Sequence, residues 1–546
     1  MKRQSTTAIG GENSIKAKKY SMYSMQAVST QLEAEPLDPP IHSLPPEILS
    51  EIFLLATGKL YSMFSPHLSG PWRLARVCHR WRDTAAGLPA LWSSFMLDWR
   101  TRRQADIGAR LLQEALQRTG QRRLSMTIQK PKYLPAVIIE TLVQHSSQWG
   151  YVNLLGPPSD QWTQLSLTYN PRFPLLTMLS IQCSKDDIAT LLGMFRDAPN
   201  LRYLRYDLDS SPLDPEGFSP GAIHFPWSRI TDLTMPIIRY GRVEQCVEIL
   251  RLCPSLEHLE EGCLLPCLMG TEIDPVPLTL WKLRSLSVGS SQLLPYIISP
   301  VLERLSLDIV GGVSFSPSDL SQFFLRSGGQ LRSLRLGPLE KDISDPGQLL
   351  SRMPQLRELL LNFRSPYREV DLTRILTSIH SQDLGVMIPN LSVFVLNVDQ
   401  IFTGKMSLEG RDEDIVSIID KRWNVPQDSR RLCHVLIYCG VVGFTEDAVA
   451  QATQSRILSC IERLELFKMQ GLDVSINARQ AVGMFLKNYG CVKLFTGSAQ
   501  VGMSCSLQSQ WWKLFETGLS PTSDVWTSSR WKGWIYPSVK WTVQRR

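Results

Sequence analysis

The chain has 546 residues, of which 43% are hydrophobic and 20% are charged, and its formal net charge is +7. This length allows several domains or one long array of repeats, and the hydrophobic content is ordinary for a globular protein. The positive charge forms no dense basic stripe and no apolar run reaches about 18 residues, so we expect neither nucleic-acid binding nor a membrane span.

The amino-terminal residues 1–39 are predicted to form a disordered tail. They contain several lysines but no apolar core of a signal peptide. Along the whole chain, eleven cysteines are scattered without the spacing of a disulfide framework. That usage is typical of a reducing compartment, so we expect a cytoplasmic protein, a nuclear protein, or one found in both places.

Residues 40–98 predict a small helical domain. Pro45 and Pro46 fit a first helical turn, and Glu47 adds negative charge at the positive end of the helix dipole. The apolar residues that follow are expected to share one helical face: Ile48, Leu49, Ile52 and Phe53. A second helix is predicted from spacing i, i+3, i+4, i+7, which is occupied by Leu74, Val77, Cys78 and Trp81.

This segment resembles an F-box, the short helical module that docks substrate receptors onto Skp–cullin ubiquitin ligases. The resemblance runs from Leu44-Pro45-Pro46-Glu47-Ile48-Leu49 through Val77-Cys78-His79-Arg80-Trp81 to Leu91-Trp92. It implies a surface for a Skp-family adaptor, and through it a cullin, made by Leu44, Pro45, Ile48, Leu49, Ile52, Phe53, Val77, Cys78, Trp81 and Trp92. The segment departs from a minimal F-box by the insert Thr57–Pro71, which is rich in Gly, Pro and Ser.

Residues 99–476 carry a recurring spacing of apolar residues at positions 1, 4 and 6. Clear copies are Leu176/Leu179/Ile181, Leu201/Leu204/Tyr206, Ile230/Leu233/Met235, Leu283/Leu286/Val288, Leu302/Leu305/Leu307, Leu331/Leu334/Leu336 and Leu356/Leu359/Leu361. Weaker copies are Trp149/Val152/Leu154, Leu256/Leu259/Glu261, Leu391/Phe394/Leu396, Leu432/Val435/Ile437 and Ile461/Leu464/Leu466. Most steps lie within the range of leucine-rich repeats. Amphipathic helices are predicted between copies, with shared faces Ile188/Leu191/Leu192/Phe195, Val243/Cys246/Val247/Leu250 and Leu372/Ile375/Leu376/Ile379.

Together these patterns predict an α/β fold, in which a small helical F-box-like module precedes an irregular leucine-rich-repeat-like solenoid. The repeats lack the usual Asn three positions beyond the third apolar residue, where Asp209, Val310, Leu339 and Arg364 stand in four copies. A shallow α/β domain with fewer true repeats is the structural alternative. The helix predicted at Asp414–Trp423 resembles a late helix of large fungal F-box proteins of the mushroom type.

The carboxyl-terminal residues 477–546 predict a cap or a partly disordered extension. Six of the fifteen tryptophans fall between Trp511 and Trp541, interleaved with basic residues, but no helical period accompanies them. Interleaved aromatic and basic residues can also stack on nucleic acid or lie at a membrane interface. The missing period makes the capping interpretation the stronger one.

Motifs for catalysis and cofactors are missing from the sequence. The best metal candidate is the set Cys253, His258, Cys263 and Cys267, whose spacing contains no paired C-x-x-C knuckle. The acidic triplet Asp412–Asp414 is expected to be a charged helix start, and Cys433 and His434 should point to opposite faces of a strand. We therefore expect no catalytic residue, no metal and no cofactor.

Three functions remain open on the sequence alone. The first is a non-catalytic substrate-recognition subunit of a ubiquitin ligase, which binds a protein substrate of unknown identity through the repeat. The second is a repeat scaffold for protein–protein interaction whose F-box-like helices pack internally, with Ile48, Leu49 and Phe53 buried. The third is an enzyme hidden in the repeat, which needs a convergent polar pocket.

Overall fold

The structure is a computed structural model of the chain. It describes residues 40–57, 60–63, 70–98, 102–129, 135–156, 169–208, 219–238, 243–264, 276–289, 291–307, 317–327, 330–337, 350–363, 388–398, 411–424, 432–440 and 462–479. The chain divides into two compact units, residues 1–49 and residues 50–546. The predicted tail 1–39 and most of the predicted extension 477–546 lie outside the described residues.

Helices occur at both ends of the described chain and between its strands. They are α1 (Pro46–Thr57), α2 (Pro71–Leu74), α3 (His79–Ala86), α4 (Pro89–Trp92), α5 (Arg102–Thr119), α6 (Ala136–Gln144), α7 (Lys185–Met194), α8 (Val243–Leu252), α9 (Pro317–Ser327) and α10 (Arg411–Trp423), and residues 462–469 form a further helix. None of these helices is long and apolar enough to cross a membrane. The helices predicted around Ile188, Cys246 and Asp414 are confirmed as α7, α8 and α10, whereas the one predicted at Leu372–Ile379 lies outside the described residues.

Most strands are short and evenly spaced along the chain. They are β1 (Tyr61–Ser62), β2 (Ser94–Leu97), β3 (Leu124–Gln129), β4 (Trp149–Leu155), β5 (Met178–Cys183), β6 (Tyr203–Leu208), β7 (Asp232–Ile238), β8 (His258–Leu264), β9 (Leu278–Thr279), β10 (Ser285–Val288), β11 (Ile297–Ile298), β12 (Arg304–Leu307), β13 (Ser333–Leu336), β14 (Glu358–Phe363), β15 (Val393–Val398), β16 (His434–Gly440) and β17 (Asp473–Arg479).

Fifteen of the described strands form one parallel sheet in chain order, from β1 to β17 without β9 and β11. Those two strands pair with each other in a separate, two-stranded parallel sheet. In such a sheet each strand lies parallel to the strand before it. After every strand the chain must therefore return to the edge of the sheet at which that strand began. This order confirms the predicted α/β class and is compatible with a solenoid-like fold.

The repeat spacing predicts the buried side of the sheet correctly for nearly all copies. Every residue of the seven clear copies is at most 3% exposed, and these copies correspond to β5, β6, β7, β10, β12, β13 and β14. Each fully buried Leu or Ile stabilises the fold by about 1.5–3 kcal/mol relative to an exposed one. One position is polar: Glu261 is 3% exposed on β8, and its carboxylate accepts a hydrogen bond from the Gly289 N–H at 3.3 Å.

One weak copy is wrong, and no copy was predicted for four strands of the large sheet, β1, β2, β3 and β17. Residues 462–469 form a helix, so the copy that begins at Ile461 is not a strand, and the strand of this repeat is β17 instead. At the other end, Trp92, Phe95 and Leu97 have the same 1, 4, 6 spacing and form the end of α4 and β2. The repeat therefore starts inside the segment 40–98, where β2 is hydrogen-bonded in register to β3.

A recurring backbone contact joins the repeats just before each strand. The carbonyl of Thr231 accepts the N–H groups of Glu257 and His258, at 2.8 and 2.9 Å. The Glu257 carbonyl does the same for Arg284 and Ser285, at 2.9 and 3.0 Å. Equivalent two-donor contacts are made by the carbonyls of Thr177, Arg202, Arg284, Glu303, Arg332, Arg357 and Ser392. This ladder fixes the strand register, because one carbonyl determines where two residues of the next repeat must lie.

Asparagine side chains in two turns donate hydrogen bonds to the preceding repeat. Asn200 donates to the Pro174 carbonyl at 2.7 Å, and Asn390 donates to the Pro354 carbonyl at 3.0 Å. Each bond reaches back one repeat and satisfies a turn carbonyl that the backbone leaves open. These asparagines precede their strands, whereas the usual repeat pattern places its Asn after the strand, so the sequence pattern could not find them.

Arg422 is the most buried member of this set of turn contacts. It is 0% exposed at the end of α10, and its Nη2 atom lies 3.3 Å from the Pro389 carbonyl and 2.9 Å from the Leu391 carbonyl. A buried arginine is stable only when such acceptors surround it. The Lys-Arg-Trp end of this helix is thus structural, since its arginine closes the turn before β15.

We predict that Arg422→Met weakens the array locally. The substitution leaves two turn carbonyls without their donor, which costs about 1–3 kcal/mol per unsatisfied group. Hydrogen exchange measured by mass spectrometry should show faster exchange over residues 388–398. Arg357→Gln, which changes an exposed arginine before β14, is the control and should leave exchange unchanged. Equal effects of both substitutions would contradict the assigned role of Arg422.

Candidate functional site

The α1 helix divides its apolar residues between the interior and the surface. Leu49 and Phe53, four residues apart, are both 0% exposed, whereas Ile48 is 49% exposed and Ile52 is half-buried. Neighbouring residues in an α-helix point about 100° apart, so the four cannot share one narrow face. The expectation of a single apolar face is corrected accordingly. Leu55, which the sequence analysis did not single out, is the most exposed apolar residue of α1 at 70%.

The second predicted helix is in fact two helices with a turn between them. α2 ends at Leu74, and α3 begins after Cys78, whose φ of −157° and ψ of 174° are extended. The pattern failed because Leu74 and Trp81 belong to different helices. Leu74 is 9% exposed, Val77 in the turn is 56% exposed, and Cys78 and Trp81 are half-buried.

Aromatic rings form the core of residues 50–98. The rings of Phe53 and Trp81 lie with their centroids 4.9 Å apart. Trp92 is fully buried, donates its indole N–H to the Ala85 carbonyl at 2.8 Å, and meets the Trp72 ring edge-on at 4.8 Å. The Arg118 guanidinium of α5 lies 4.4 Å from the Trp92 ring centroid, a cation–π contact. This contact connects the helices to the first repeat.

The insert Thr57–Pro71 contributes an edge strand to the sheet. β1 lies within it and pairs in parallel with β2, with Tyr61 opposite Phe95. Tyr61 is 3% exposed, and burial raises the pKa of its hydroxyl against a smaller lowering by the charge of Arg118. Gly70 closes the insert with φ +76°, and a Cβ there would lie 2.6 Å from the Tyr61 ring. Only glycine fits this place, for reasons of both backbone and space.

Gly70→Ala is therefore predicted to lower the melting temperature clearly. The backbone conformation of φ +76° and ψ −169° alone costs an L-residue about 1–3 kcal/mol, and displacing the Tyr61 ring adds to it. Gly120 is a matched control, because it has φ +58° and a Cβ added there would meet no atom within 4 Å. Gly120→Ala should show the backbone cost alone. Equal shifts for the two variants in a thermal unfolding scan would contradict the contact with Tyr61.

The ten residues that the resemblance assigns to an adaptor surface fall into three groups. Pro45, Ile48 and Val77 are exposed. Half-buried residues are Leu44, Ile52, Cys78 and Trp81. Leu49, Phe53 and Trp92 are 0% exposed, so in this conformation their side chains belong to the interior and cannot contact a partner. The helical period alone could not predict which of two adjacent apolar residues faces inward, because that also depends on how the helix packs.

The outer face of the parallel sheet carries polar side chains in straight rows. One row, read across neighbouring strands, is Tyr151, Met178, Tyr203, Asp232, His258 and Ser285. The row just before the strands contains an ionic series in which Glu303 lies between Arg284 at 3.7 Å and Arg332 at 3.9 Å. These arginines and the glutamate are partly solvated, so the pairs stabilise the fold little. They give the sheet edge a mixed charge.

Of the candidate metal ligands, the structure describes the side chains of Cys253 and His258. Cys253 is 0% exposed and lies in the turn after α8, whereas His258 and Cys263 lie on β8, with the His258 side chain half-buried. Cys267 lies outside the described residues. In the described part of the chain, no group of three or more His, Cys, Asp or Glu residues is placed to hold a metal ion. Burial raises the pKa of the Cys253 thiol to about 12, as for a small apolar residue of the core.

Alkylation should separate the buried and exposed cysteines. At pH 8 the Cys253 thiol is protonated and inaccessible, whereas Cys433 is exposed. We expect iodoacetamide to label Cys433 in the folded protein, and Cys253 only after denaturation in guanidinium, as read by peptide mass spectrometry. Rapid labelling of Cys253 in the folded protein would contradict its placement in the core.

Two further sequence candidates have structural explanations. The acidic triplet Asp412–Asp414 occupies the first turn of α10, as predicted for a charged helix start. His434 begins β16, and its Nδ1 atom lies 2.9 Å from the Asp473 carboxylate on β17. The pair joins two neighbouring strands across the sheet, a contact between half-buried polar residues that holds β17 in register.

No protein-family model matches the chain, and no curated protein has a significantly similar sequence.

Proposed function

We propose that the chain is a substrate-recognition subunit of a Skp–cullin–F-box ubiquitin ligase, with a leucine-rich-repeat-like region behind an F-box. In this proposal the amino-terminal helices bind a Skp-family adaptor, which is held by a cullin, in the cytoplasm or nucleus. The parallel sheet presents a protein substrate, and other subunits transfer ubiquitin. The chain contributes proximity, which raises the local concentration of substrate lysines.

The observation that supports adaptor binding best is the exposure of apolar side chains in the F-box-like segment. Ile48 is 49%, Leu55 70% and Val77 56% exposed. Single exposed apolar residues are ordinary on a protein surface. Here, however, two of the three are residues that the F-box resemblance assigns to the adaptor surface. The buried residues Phe53 and Trp92 would support this surface by holding α1 and α4 in place.

A second function, a scaffold without a ligase, is favoured by the burial pattern of the same helices. That hypothesis predicts that Ile48, Leu49 and Phe53 are buried, and the latter two are 0% exposed. The β1–β2 pair and the Arg118–Trp92 contact also join this segment to the repeat. The exposure of Ile48 is the observation that favours the adaptor over the scaffold.

Single substitutions at the exposed residues test the adaptor proposal. Ile48→Asp and Val77→Asp place a carboxylate where an apolar partner surface is expected, so each should weaken binding by about a hundredfold. Because both side chains are exposed, neither substitution should change the melting temperature. Binding of the full chain to a purified Skp-family adaptor is measured by isothermal titration calorimetry.

Val137→Asp is the control, because Val137 is 52% exposed on α6, away from the F-box-like segment. It should leave adaptor binding unchanged. Unchanged binding of Ile48→Asp and Val77→Asp would contradict the proposed surface, and no binding by the unmodified chain would favour the scaffold.

A further inference from the structure

A cleft of about 230 Å³ opens on the outer face of the sheet across β4, β5 and β6. Its shape follows from the strand register. Asn153, Ser180 and Arg205 lie side by side on the three strands, and the small Ser180 is in the middle. Tyr151 and Tyr203 stand at one end on the outer strands, and Asp207 lines the other end. A small side chain surrounded by larger ones leaves the depression.

Two polar groups in this cleft have no partner in the described part of the chain. The Oδ1 atom of Asn153 is buried without a hydrogen bond. Half-buried Arg205, on the opposite side of Ser180, has no hydrogen bond or ion pair to any described residue. The guanidinium of Arg205 therefore has its donors available to a ligand in the cleft.

The charge of Arg205 acts across the cleft. Burial raises the pKa of Tyr151 and the nearby Tyr203 hydroxyl adds to this, whereas Arg205 lowers it. Tyr151 and Arg205 are two strands apart and offset by two residues along the strand, a backbone separation of about 12 Å. The guanidinium therefore influences the space above Ser180, where a ligand would lie.

We propose that this cleft binds a carboxylate of the protein substrate, with the guanidinium of Arg205 as its donor and Asn153 Oδ1 as acceptor for a neighbouring peptide N–H. The proposal rests on the proposed function, since it names the substrate group that the sheet would recognise. The volume lies below the range of about 300–1,000 Å³ that holds a drug-sized ligand, so a single residue is the fitting occupant.

The cleft favours a carboxylate over a phosphate. One guanidinium matches one carboxylate in a bidentate pair. A dianionic phosphate would carry a second negative charge, and the Asp207 carboxylate lines the same cleft. The repulsion is not balanced by another described cation lining the cleft. The carboxylate comes either from an Asp or Glu side chain or from the carboxyl terminus of the substrate.

Two arrays of random decapeptides, probed with the full chain, distinguish these sources. One array has amidated carboxyl termini, the other has free carboxyl termini, and both include phosphoserine among the residues. Enrichment of Asp or Glu at one position of the amidated array indicates a side chain, and enrichment only in the second array indicates a terminus. Enrichment of no sequence, or of phosphoserine alone, would overturn the proposal.

Affinities of an enriched peptide, measured by fluorescence anisotropy, then test Arg205 itself. Arg205→Gln should bind at least about tenfold more weakly, as expected for one lost charge-assisted hydrogen bond. The matched control Arg202→Gln removes an equal charge at an exposed position just before β6 and should bind normally. Equal affinities of Arg205→Gln and the unmodified chain would overturn the proposal.

Failure of this proposal is distinguishable from failure of the proposed function. The arrays contain no adaptor, and neither arginine belongs to the F-box-like segment. Carboxylate-dependent peptide binding without adaptor binding would remove the ligase function and keep the cleft. Adaptor binding without carboxylate-dependent peptide binding would do the reverse.

Discussion

The described sheet depends on a backbone carbonyl just before each strand that accepts two N–H groups from the next repeat. From Thr177 to Ser392 this contact recurs at nearly every step along the sheet. It is made by the main chain and so requires no particular side chain. The side chains then fall into two groups. Apolar residues fill nearly all of the inner positions 1, 4 and 6 and form the core, whereas side chains at the outer positions face away from it.

That division explains which parts of the fold could be predicted from the sequence. Inner positions are apolar in nearly every repeat, so the spacing around Leu334 and Leu359 predicts their strands, and the weak copy with Glu261 also corresponds to a strand. The last copy failed because Leu464 and Leu466 have the right spacing on a helix. Three apolar residues are too short a pattern to distinguish a strand from a helical turn.

The amino-terminal segment shows the limit of such patterns more clearly. Sequence similarity to an F-box groups Ile48 with Leu49 and Val77 with Cys78, but Ile48 and Val77 are exposed, whereas Leu49 is buried and Cys78 is half-buried. The structure of the insert could not be predicted either, because a two-residue strand such as Tyr61–Ser62 is too short to show a period. Its place in the sheet, and the need for glycine at position 70, depend on contacts between residues distant in the chain.

The candidate recognition cleft could not be predicted from the sequence, for a related reason. Ser180, Asn153 and Arg205 belong to three different repeats, and only the register of β4, β5 and β6 brings them side by side. Nothing in any single repeat marks these residues as special. A sheet of this kind therefore places side by side residues that are about one repeat apart in the chain.

The central functional claim is that the amino-terminal helices bind a Skp-family adaptor through side chains exposed in the free chain. Hydroxyl-radical footprinting of the full chain, with and without saturating adaptor, tests it directly. The account predicts that oxidation of Ile48, Leu55 and Val77 falls when the adaptor is bound, while oxidation of Tyr151 and Tyr203 in the cleft stays the same. Unchanged oxidation of the three helix and turn residues would contradict it.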